Sequence, residues 1–222
     1  MALTKFNYNS FDLTTAASSG LAFNSSANGF ETSSSTSMVL IKTLTASSSS
    51  TLSFVDGSSD VVLDNTYPVY MFKFINMHPA TNGGQFSFQG STNTGGAYGV
   101  TITTSHFSAY HNEAGDTTNL GYDGTGNRDL AQSTNFQVLA SATGNQNDES
   151  FSGTLHLFGL SSTTFIKHFI ARGNHYNQSD YSINNHVGGY FNTTSAIDAI
   201  QFKMDSGNID SGTIKLYGVK DS

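Results

Sequence analysis

The chain has 222 residues, enough for one large domain that buries about 70% of the surface its unfolded form exposes. It contains no cysteine, so neither disulfides nor thiolate metal sites can stabilise the fold. Nine basic and 16 acidic residues give a net charge of −7, and only 11% of residues are charged. Arg128 and Arg172 are far apart in the sequence and each lysine stands among neutral residues, so no nucleic-acid partner is expected.

The N-terminal segment, residues 1–37, is dominated by Ser, Thr, Asn and Ala. Such a composition buries too little apolar area to offset the conformational entropy that ordering would cost. We therefore predict an extended assembly arm that becomes ordered by contact with neighbouring subunits. Its aromatic residues are the predicted partner contacts: Phe6, Tyr8, Phe11, Phe23 and Phe30.

Residues 38–222 show short β-like runs broken by turn residues. Met38–Leu44 and Thr51–Val55 come first, and Asp56-Gly57 predicts the turn that ends the second run. Tyr67–Met77 is rich in aromatic and branched residues, which predicts a central strand. No stretch shows a sustained 3.6-residue period, so helices should be few. The predicted class is an all-β antiparallel sandwich or jelly roll.

An internal repeat is the most informative feature of the C-terminal half. Ser152–Leu160 reads Ser-Gly-Thr-Leu-His-Leu-Phe-Gly-Leu, and Ser211–Val219 reads Ser-Gly-Thr-Ile-Lys-Leu-Tyr-Gly-Val. An apolar run precedes each copy, at Phe136–Ala140 and at Ile200–Met204, so each run and its copy predict a hairpin. Two similar hairpins indicate equivalent places in two packed sheets, although chance similarity between amphipathic strands is an alternative.

Alternation within each copy predicts which side chains are buried. Side chains at every second position of a strand point to the same face of the sheet. Leucine and isoleucine positions should therefore face the core, and the residues between them should face water. The predicted core residues are Leu155, Leu157, Ile214 and Leu216, and the predicted water-facing residues are His156 and Lys215.

The segment from Phe136 to Val219 resembles the β-sandwich domain of virion proteins from marine and environmental tailed phages. The resemblance lies in five segments: 152–160, 164–169, 188–192, 196–202 and 206–219. It implies a stable module on a head, tail or fibre protein, and it implies assembly rather than chemistry. The first 130 residues match this group less clearly.

Catalytic patterns are mostly absent from the sequence, and we predict that the protein is not an enzyme. It has neither a cysteine nucleophile nor a Gly-x-Ser-x-Gly elbow. A glycosidase needs only two suitably spaced carboxylates, so sequence alone does not exclude a depolymerase. The carboxylates nevertheless fall in predicted turns, where they favour Asx-turns: Asp56, Asp116, Asp123, Asp148, Asp205 and Asp210.

Metal sites and cofactors are not predicted either. His106 and His111, or the trio His168, His175 and His186, could converge on a metal, but neither spacing matches a known ligand pattern. The loop from Asp123 to Asp129 superficially resembles a calcium loop, but it lacks the distal Glu. A glycine-rich turn is the favoured interpretation, and whether a divalent ion binds there is left open.

Two polar segments with tyrosines are the predicted contact loops. The segment 111–135 is longer than the about 12–15 residues beyond which an unstructured loop is unusual, and Tyr122 lies near its centre. The segment 172–185 carries Tyr176 and Tyr181 among Asn, Gln and Asp. Tyrosines in such surroundings suit the recognition of a neighbouring subunit or a glycan, although both segments could equally be solvated connections.

The expected function is that of a phage structural protein, either a head decoration or cement protein or a tail-attached subunit. The alternative is a carbohydrate-binding receptor module that reads host glycans through its tyrosine-bearing loops. We expect a homo-oligomer, with a trimer favoured, in contact with other virion proteins and not with a membrane. Residues 1–7 lack the apolar stretch of a secretory signal, so synthesis in the host cytoplasm and residence in the virion are expected.

Overall fold

A computed structural model describes residues 20–23, 26, 30–33, 37–125 and 128–220. The regular secondary structure of these residues consists of β-strands, which agrees with the absence of a 3.6-residue period in the sequence. None of the described segments is a helix that could cross a membrane. The strands are β1 Gly20–Phe23, β2 Phe30–Ser33, β3 Met38–Thr45, β4 Leu52–Val55, β5 Val69–Pro79, β6 Gly84–Ser91, β7 Ile102–Asn112, β8 Thr118–Tyr122, β9 Gln137–Thr143, β10 Phe151–Phe158, β11 Lys167–Asn177, β12 Tyr181–Phe191, β13 Ala199–Met204 and β14 Ile209–Val219.

The chain divides into two units, residues 1–37 and 38–222. In the first, β1 and β2 pair antiparallel with Phe23 opposite Phe30, a pairing that the composition did not predict. Three of the predicted arm contacts, Phe6, Tyr8 and Phe11, lie outside the described residues, as do the side chains of Phe23 and Phe30.

The second unit is a 12-stranded antiparallel sheet that folds on itself and nearly closes into a barrel. One layer has eight strands in the order β3-β14-β5-β10-β11-β12-β7-β8, and the other has four in the order β9-β6-β13-β4. A single bridging pair, Asn177 and Thr143, joins the two layers between β11 and β9. The predicted all-β antiparallel class is therefore confirmed.

The internal repeat has a structural meaning, although the predicted hairpins are wrong. The two copies, β10 and β14, lie in the same eight-stranded layer, on either side of β5. The apolar runs that precede them, β9 and β13, lie on either side of β6 in the four-stranded layer. Each run and its copy therefore cross between layers and do not pair with each other. The two copies therefore occupy matching places on either side of β5, in one layer and not in two packed sheets as predicted.

The predicted central strand is confirmed in β5, which pairs with both copies of the repeat. Phe72 lies opposite Leu155 on one side and opposite Leu216 on the other. All three side chains are fully buried, as are Leu157 and Ile214. His156 and Lys215 point to the opposite side as predicted, but both are partly buried and not exposed.

Phenylalanine rings from both layers meet between the sheets. Phe202 of β13 is fully buried, and its ring centroid lies 5.1 Å from that of Phe72 and 5.2 Å from that of Phe74, both on β5. It also contacts Phe86 of β6 at 5.8 Å, with the rings nearly parallel at 12°. Each aromatic pair contributes about 0.5–1.5 kcal/mol beyond the burial of its area, so this cluster holds the layers together.

Both predicted contact loops are shorter in the structure than in the sequence analysis. The segment 111–135 contains β8, which pairs with β7 and extends the large layer by one strand. The segment 172–185 is mostly the paired strands β11 and β12, joined by a turn at 178–180. Asn and Gly-rich composition concealed these strands, because their pairing depends on neighbours in the sheet more than on intrinsic propensity.

The repeat copy in β14 provides a test of the register. Leu216→Ala should lower the free energy of unfolding by about 2–5 kcal/mol, because a fully buried side chain is replaced by a cavity. Lys215→Ala should change it by about 0.5 kcal/mol or less, because that side chain lies on the outside of the sheet. Urea unfolding of the two variants measures the difference, and equal losses would contradict the register.

Candidate functional site

The most unusual surface of the protein is one face of the eight-stranded layer. We call the side of this layer that points away from the core the outer face. Nine large apolar side chains are exposed in the described part of the chain, and eight of them belong to strands of this layer. The ninth, Phe165, lies in the loop between β10 and β11. The eight are Met38, Leu40, Ile75, Phe107, Leu120, Tyr122, Phe158 and Ile170.

Strand register places several of these residues in two adjacent cross-strand rows, which we call the apolar strip. Residues directly opposite on neighbouring antiparallel strands lie about 5 Å apart, so each row is continuous. The first row consists of Met38, Val219, Val69 and Phe158. The second consists of Leu40, Tyr217, Met71, His156 and Ile170.

Ile170 is the most exposed side chain in the apolar strip, at 57%. Its neighbour on β12 is Gly188, which has no side chain to cover it. A Cβ atom built at Gly188 would meet no other atom within 4 Å, so the space beside Ile170 is open to solvent. The isolated fold therefore leaves an aliphatic side chain uncovered in the middle of a sheet.

A row of cations lies next to the apolar strip on the same face. The row consists of Lys215 on β14, Lys73 on β5 and Arg172 on β11, and His186 on β12 follows Arg172. Thr154 on β10 lies between Lys73 and Arg172. We call Lys215, Lys73 and Arg172 the cation row. Desolvation and the charge of Arg172 lower the pKa of His186, so that ring extends the row without adding a charge at pH 7. Beyond His186 the same row continues through Phe107 and Tyr122. The sequence alone does not reveal this row, because its members are far apart along the chain and become neighbours only through the register of β5 with both repeat copies.

The cation row has no compensating carboxylate. Lys73 and Lys215 lie directly opposite each other, an arrangement of like charges that destabilises a sheet. Lys73 Nζ lies 5.3 Å from the centre of the Tyr217 ring, a cation–π contact. Within the described residues, the Arg172 guanidinium forms neither a hydrogen bond nor an ion pair, and no Asp or Glu belongs to this row or to the apolar strip.

Buried polar side chains form a second group, on the inner side of β11 and β12. His175 is 1% exposed; its Nε2 donates to the carbonyl oxygen of Ser141 at 2.7 Å, and its Nδ1 accepts from Asn185 Nδ2 at 3.2 Å. The same Asn185 amide donates to the carbonyl oxygen of Leu139 at 3.0 Å. Burial lowers the pKa of His175 to about 4, so the ring is neutral at pH 7.

His106 lies in the same region and is also 1% exposed. Burial lowers its pKa against the opposing effect of Asp123, whose Oδ2 lies 3.9 Å from His106 Nδ1. Arg128 Nη1 donates to the same Asp123 Oδ2 at 2.6 Å. This ion pair engages the first residue of the segment that resembled a calcium loop. Residues 126 and 127 of that segment lie outside the described part of the chain.

The described residues contain no group of three His, Asp or Glu side chains placed to hold a metal ion. His106 and His111 both belong to β7, but the first is buried and the second is exposed. Five of the six carboxylates expected in turns are in turns or loops, and Asp210 is the second residue of β14. Asp210 Oδ2 lies 3.6 Å from His78 Nδ1.

The structure separates the three predicted contact tyrosines. Tyr122 is 64% exposed on β8, opposite Phe107, and its hydroxyl donates to Asp129 Oδ2 at 3.0 Å. Tyr176 and Tyr181 lie near the β11–β12 turn instead, where Tyr181 packs edge-on against Tyr110 with centroids 5.5 Å apart. Of the three, only Tyr122 therefore lies in line with the cation row.

No protein-family model, curated protein or solved structure matches this chain.

Because the ring of His175 is buried and neutral, the free energy of unfolding should depend on pH. The folded-state pKa of about 4 lies below the ordinary value of 6.5, so unfolding takes up a proton between these two values. The stability contributed by neutral His175 is thus fully present above about pH 6.5 and is lost as pH falls towards 4. Its limit is on the order of 3 kcal/mol, at about 1.4 kcal/mol per pKa unit.

Urea unfolding between pH 7 and pH 4 measures this dependence. His175→Gln should reduce the slope of unfolding free energy against pH by the amount that corresponds to about one proton taken up on unfolding. His111→Gln, at an exposed position, should leave that slope unchanged. Parallel profiles for His175→Gln and the wild type would contradict the assignment of a buried neutral ring.

Proposed function

We propose that this protein is a non-catalytic structural subunit of a tailed-phage particle, and that it docks onto its neighbours through the apolar strip. One observation carries the proposal: eight of the nine exposed large apolar side chains in the described residues lie on one layer of the fold. Large exposed apolar patches on soluble proteins mark interaction surfaces. The strip crosses β3, β14, β5, β10 and β11, a width of about 20 Å at roughly 4.8 Å per strand.

The make-up of the strip favours a protein partner. Leu40 and Ile170 are aliphatic and 50% and 57% exposed, and they gain most from burial against other apolar side chains. Full burial of such a side chain contributes about 1.5–3 kcal/mol, so a few of these contacts support a stable interface. Phe158 ends the first row of the strip at the last residue of β10, and Phe165 in the following loop is also exposed.

The resemblance of residues 136–219 to the sandwich domain of phage virion proteins supports the assignment to a particle. In this proposal the protein is a head decoration or cement protein or a tail-attached subunit, made in the host cytoplasm and located in the virion. Residues 1–37 contribute further contacts to neighbouring subunits, and the subunits associate with one another, with a trimer as the favoured assembly.

A carbohydrate-binding receptor module is the second candidate, and a different observation favours it. The rings of Phe107 and His186 stack with centroids 4.7 Å apart and an interplanar angle of 4°. Phe107 is 45% exposed, and Tyr122 lies directly opposite it on β8. Aromatic residues of this kind present an apolar ring together with polar groups, which suits the face of a sugar.

A charge placed in the apolar strip tests the docking surface. Ile170→Asp puts a carboxylate at its most exposed position, where burial against a partner would desolvate the charge. The isolated variant should fold like the wild type, because the side chain lies outside the core. Its occupancy in assembled particles should fall by about tenfold or more, since a loss of 1.4 kcal/mol lowers an equilibrium constant tenfold.

Asn65→Asp is the matched control, because it adds the same carboxylate at an exposed position in the β4–β5 loop. It should enter particles at wild-type occupancy. Circular dichroism of both variants establishes that they fold. Wild-type occupancy of Ile170→Asp would contradict docking through the apolar strip.

A further inference from the structure

We infer that the outer face is covered by a second copy of this chain, whose acidic turns pair with the cation row. This inference rests on the proposed docking role of the outer face and names its occupant. Within residues 38–220 the two kinds of charge are segregated in the fold. The cations of the row lie in the middle of the outer face, whereas every carboxylate except that of Asp210 lies in a turn or loop at the ends of strands.

The cation row is an incomplete arrangement in the isolated subunit. Lys73 and Lys215 oppose each other across paired strands, and each is half-buried. The Arg172 side chain is exposed and has no ion-pair partner among the described residues. Like charges held together cost free energy unless an opposite charge approaches, so the row favours a partner that brings carboxylates.

The chain carries a matching group of carboxylates, which we call the acidic corner: Glu113, Asp116 and Asp180. They lie in the β7–β8 and β11–β12 turns, where the Glu113 amide donates to the Asp180 carbonyl oxygen at 3.0 Å. The Tyr176 hydroxyl donates to Asp180 Oδ1 at 3.2 Å. No lysine, arginine or histidine forms an ion pair with these three carboxylates in the described residues.

All three carboxylates of the acidic corner are exposed on the surface. Hydrogen bonds from Asn112 and Thr117 lower the pKa of Asp116, so its negative charge persists. Desolvation and the neighbouring carboxylates Glu113 and Asp180 raise the pKa of Tyr176 to about 12, so that hydroxyl remains protonated and neutral. Tyr176 is one of the residues predicted from the sequence to contact a neighbour. In this inference it does so as part of the acidic corner, against the cation row of a second copy.

The surroundings of the cation row favour a protein over a polyanion. A site for a single-stranded nucleic acid combines cations with aromatic side chains on which successive bases stack along the groove. On the side of the apolar strip, the row borders the exposed aliphatic side chains of Leu40 and Ile170, which suit apolar protein side chains, together with Tyr217. Its other aromatic neighbours, Phe107 and Tyr122, lie beyond His186 at one end of the row. Two different surfaces of one chain then meet in a head-to-tail contact, and such a contact generates a ring when the rotation between copies closes.

Sedimentation of the purified full-length chain tests the inference without any other particle protein. The wild type should sediment as an oligomer of the 23.6 kDa chain at about 0.1 M salt. Its self-association should weaken at about 1 M salt, where the Debye length falls to about 3 Å. The double variant Lys73→Glu and Lys215→Glu should raise the dissociation constant by about 100-fold or more, because it opposes carboxylates to carboxylates.

The double variant keeps the repulsion within the sheet similar to that of the wild type, because it replaces one like-charged pair with another. Lys203→Glu is the control for added negative charge, since Lys203 lies on β13 in the four-stranded layer, where its Nζ packs 4.2 Å from the centre of the Phe136 ring. It should leave the dissociation constant unchanged. Urea unfolding of all variants separates loss of association from loss of folding.

Exchanging the charges on both surfaces identifies the acidic corner. The variant Glu113→Lys and Asp180→Lys should also dissociate, and combining it with the two lysine reversals should restore self-association. A monomeric wild type, an unaffected double lysine variant, or a fourfold variant that remains monomeric would each overturn the inference.

None of these outcomes decides whether Ile170→Asp enters particles, so the docking role of the apolar strip is judged separately. A different result would assign the row to a polyanion: the wild type does not self-associate but binds single-stranded DNA or a sulfated polysaccharide, and the double variant Lys73→Glu and Lys215→Glu abolishes that binding.

Discussion

The packing of Phe202 against rings from both layers is the contact on which the rest of the domain depends. Phe72 and Phe74 reach it from the centre of the large layer, and Phe86 reaches it from the small layer. Because side chains alternate along a strand, burying Phe72 and Phe74 forces Lys73 to the other side. The core therefore determines which residues make up the outer face.

The same constraint acts on both copies of the internal repeat. Burial of Leu155 and Leu157 sends His156 outwards, and burial of Ile214 and Leu216 sends Lys215 outwards. Since both copies flank β5, their outward residues line up with those of β5. A cross-strand row of like charges, Lys215, Lys73 and Arg172, results from three separate segments of the sequence, whereas His156 lies in the apolar strip. In this account its cost within the subunit is offset when a neighbouring copy brings carboxylates to it.

The sequence predicted the all-β class, the central strand and the buried positions of both repeat copies, because those depend on local alternation. It did not predict that the copies share one layer, since two-residue periodicity is the same whichever strands pair. It also failed to identify β8 and the paired ends of β11 and β12, because Gly and Asn in these segments resemble loop composition. The cation row could not be predicted for the same reason as the layer arrangement: it exists only once β14, β5, β10 and β11 are placed side by side.

The most direct test of the account is an electron-microscopy map of the assembled particle at a resolution that shows side chains. The account predicts that a neighbouring subunit covers the outer face, with Ile170 and Leu40 buried in the contact and carboxylates within ion-pair distance of Lys73 and Lys215. A map in which the outer face of the eight-stranded layer is exposed to solvent in every copy would contradict it.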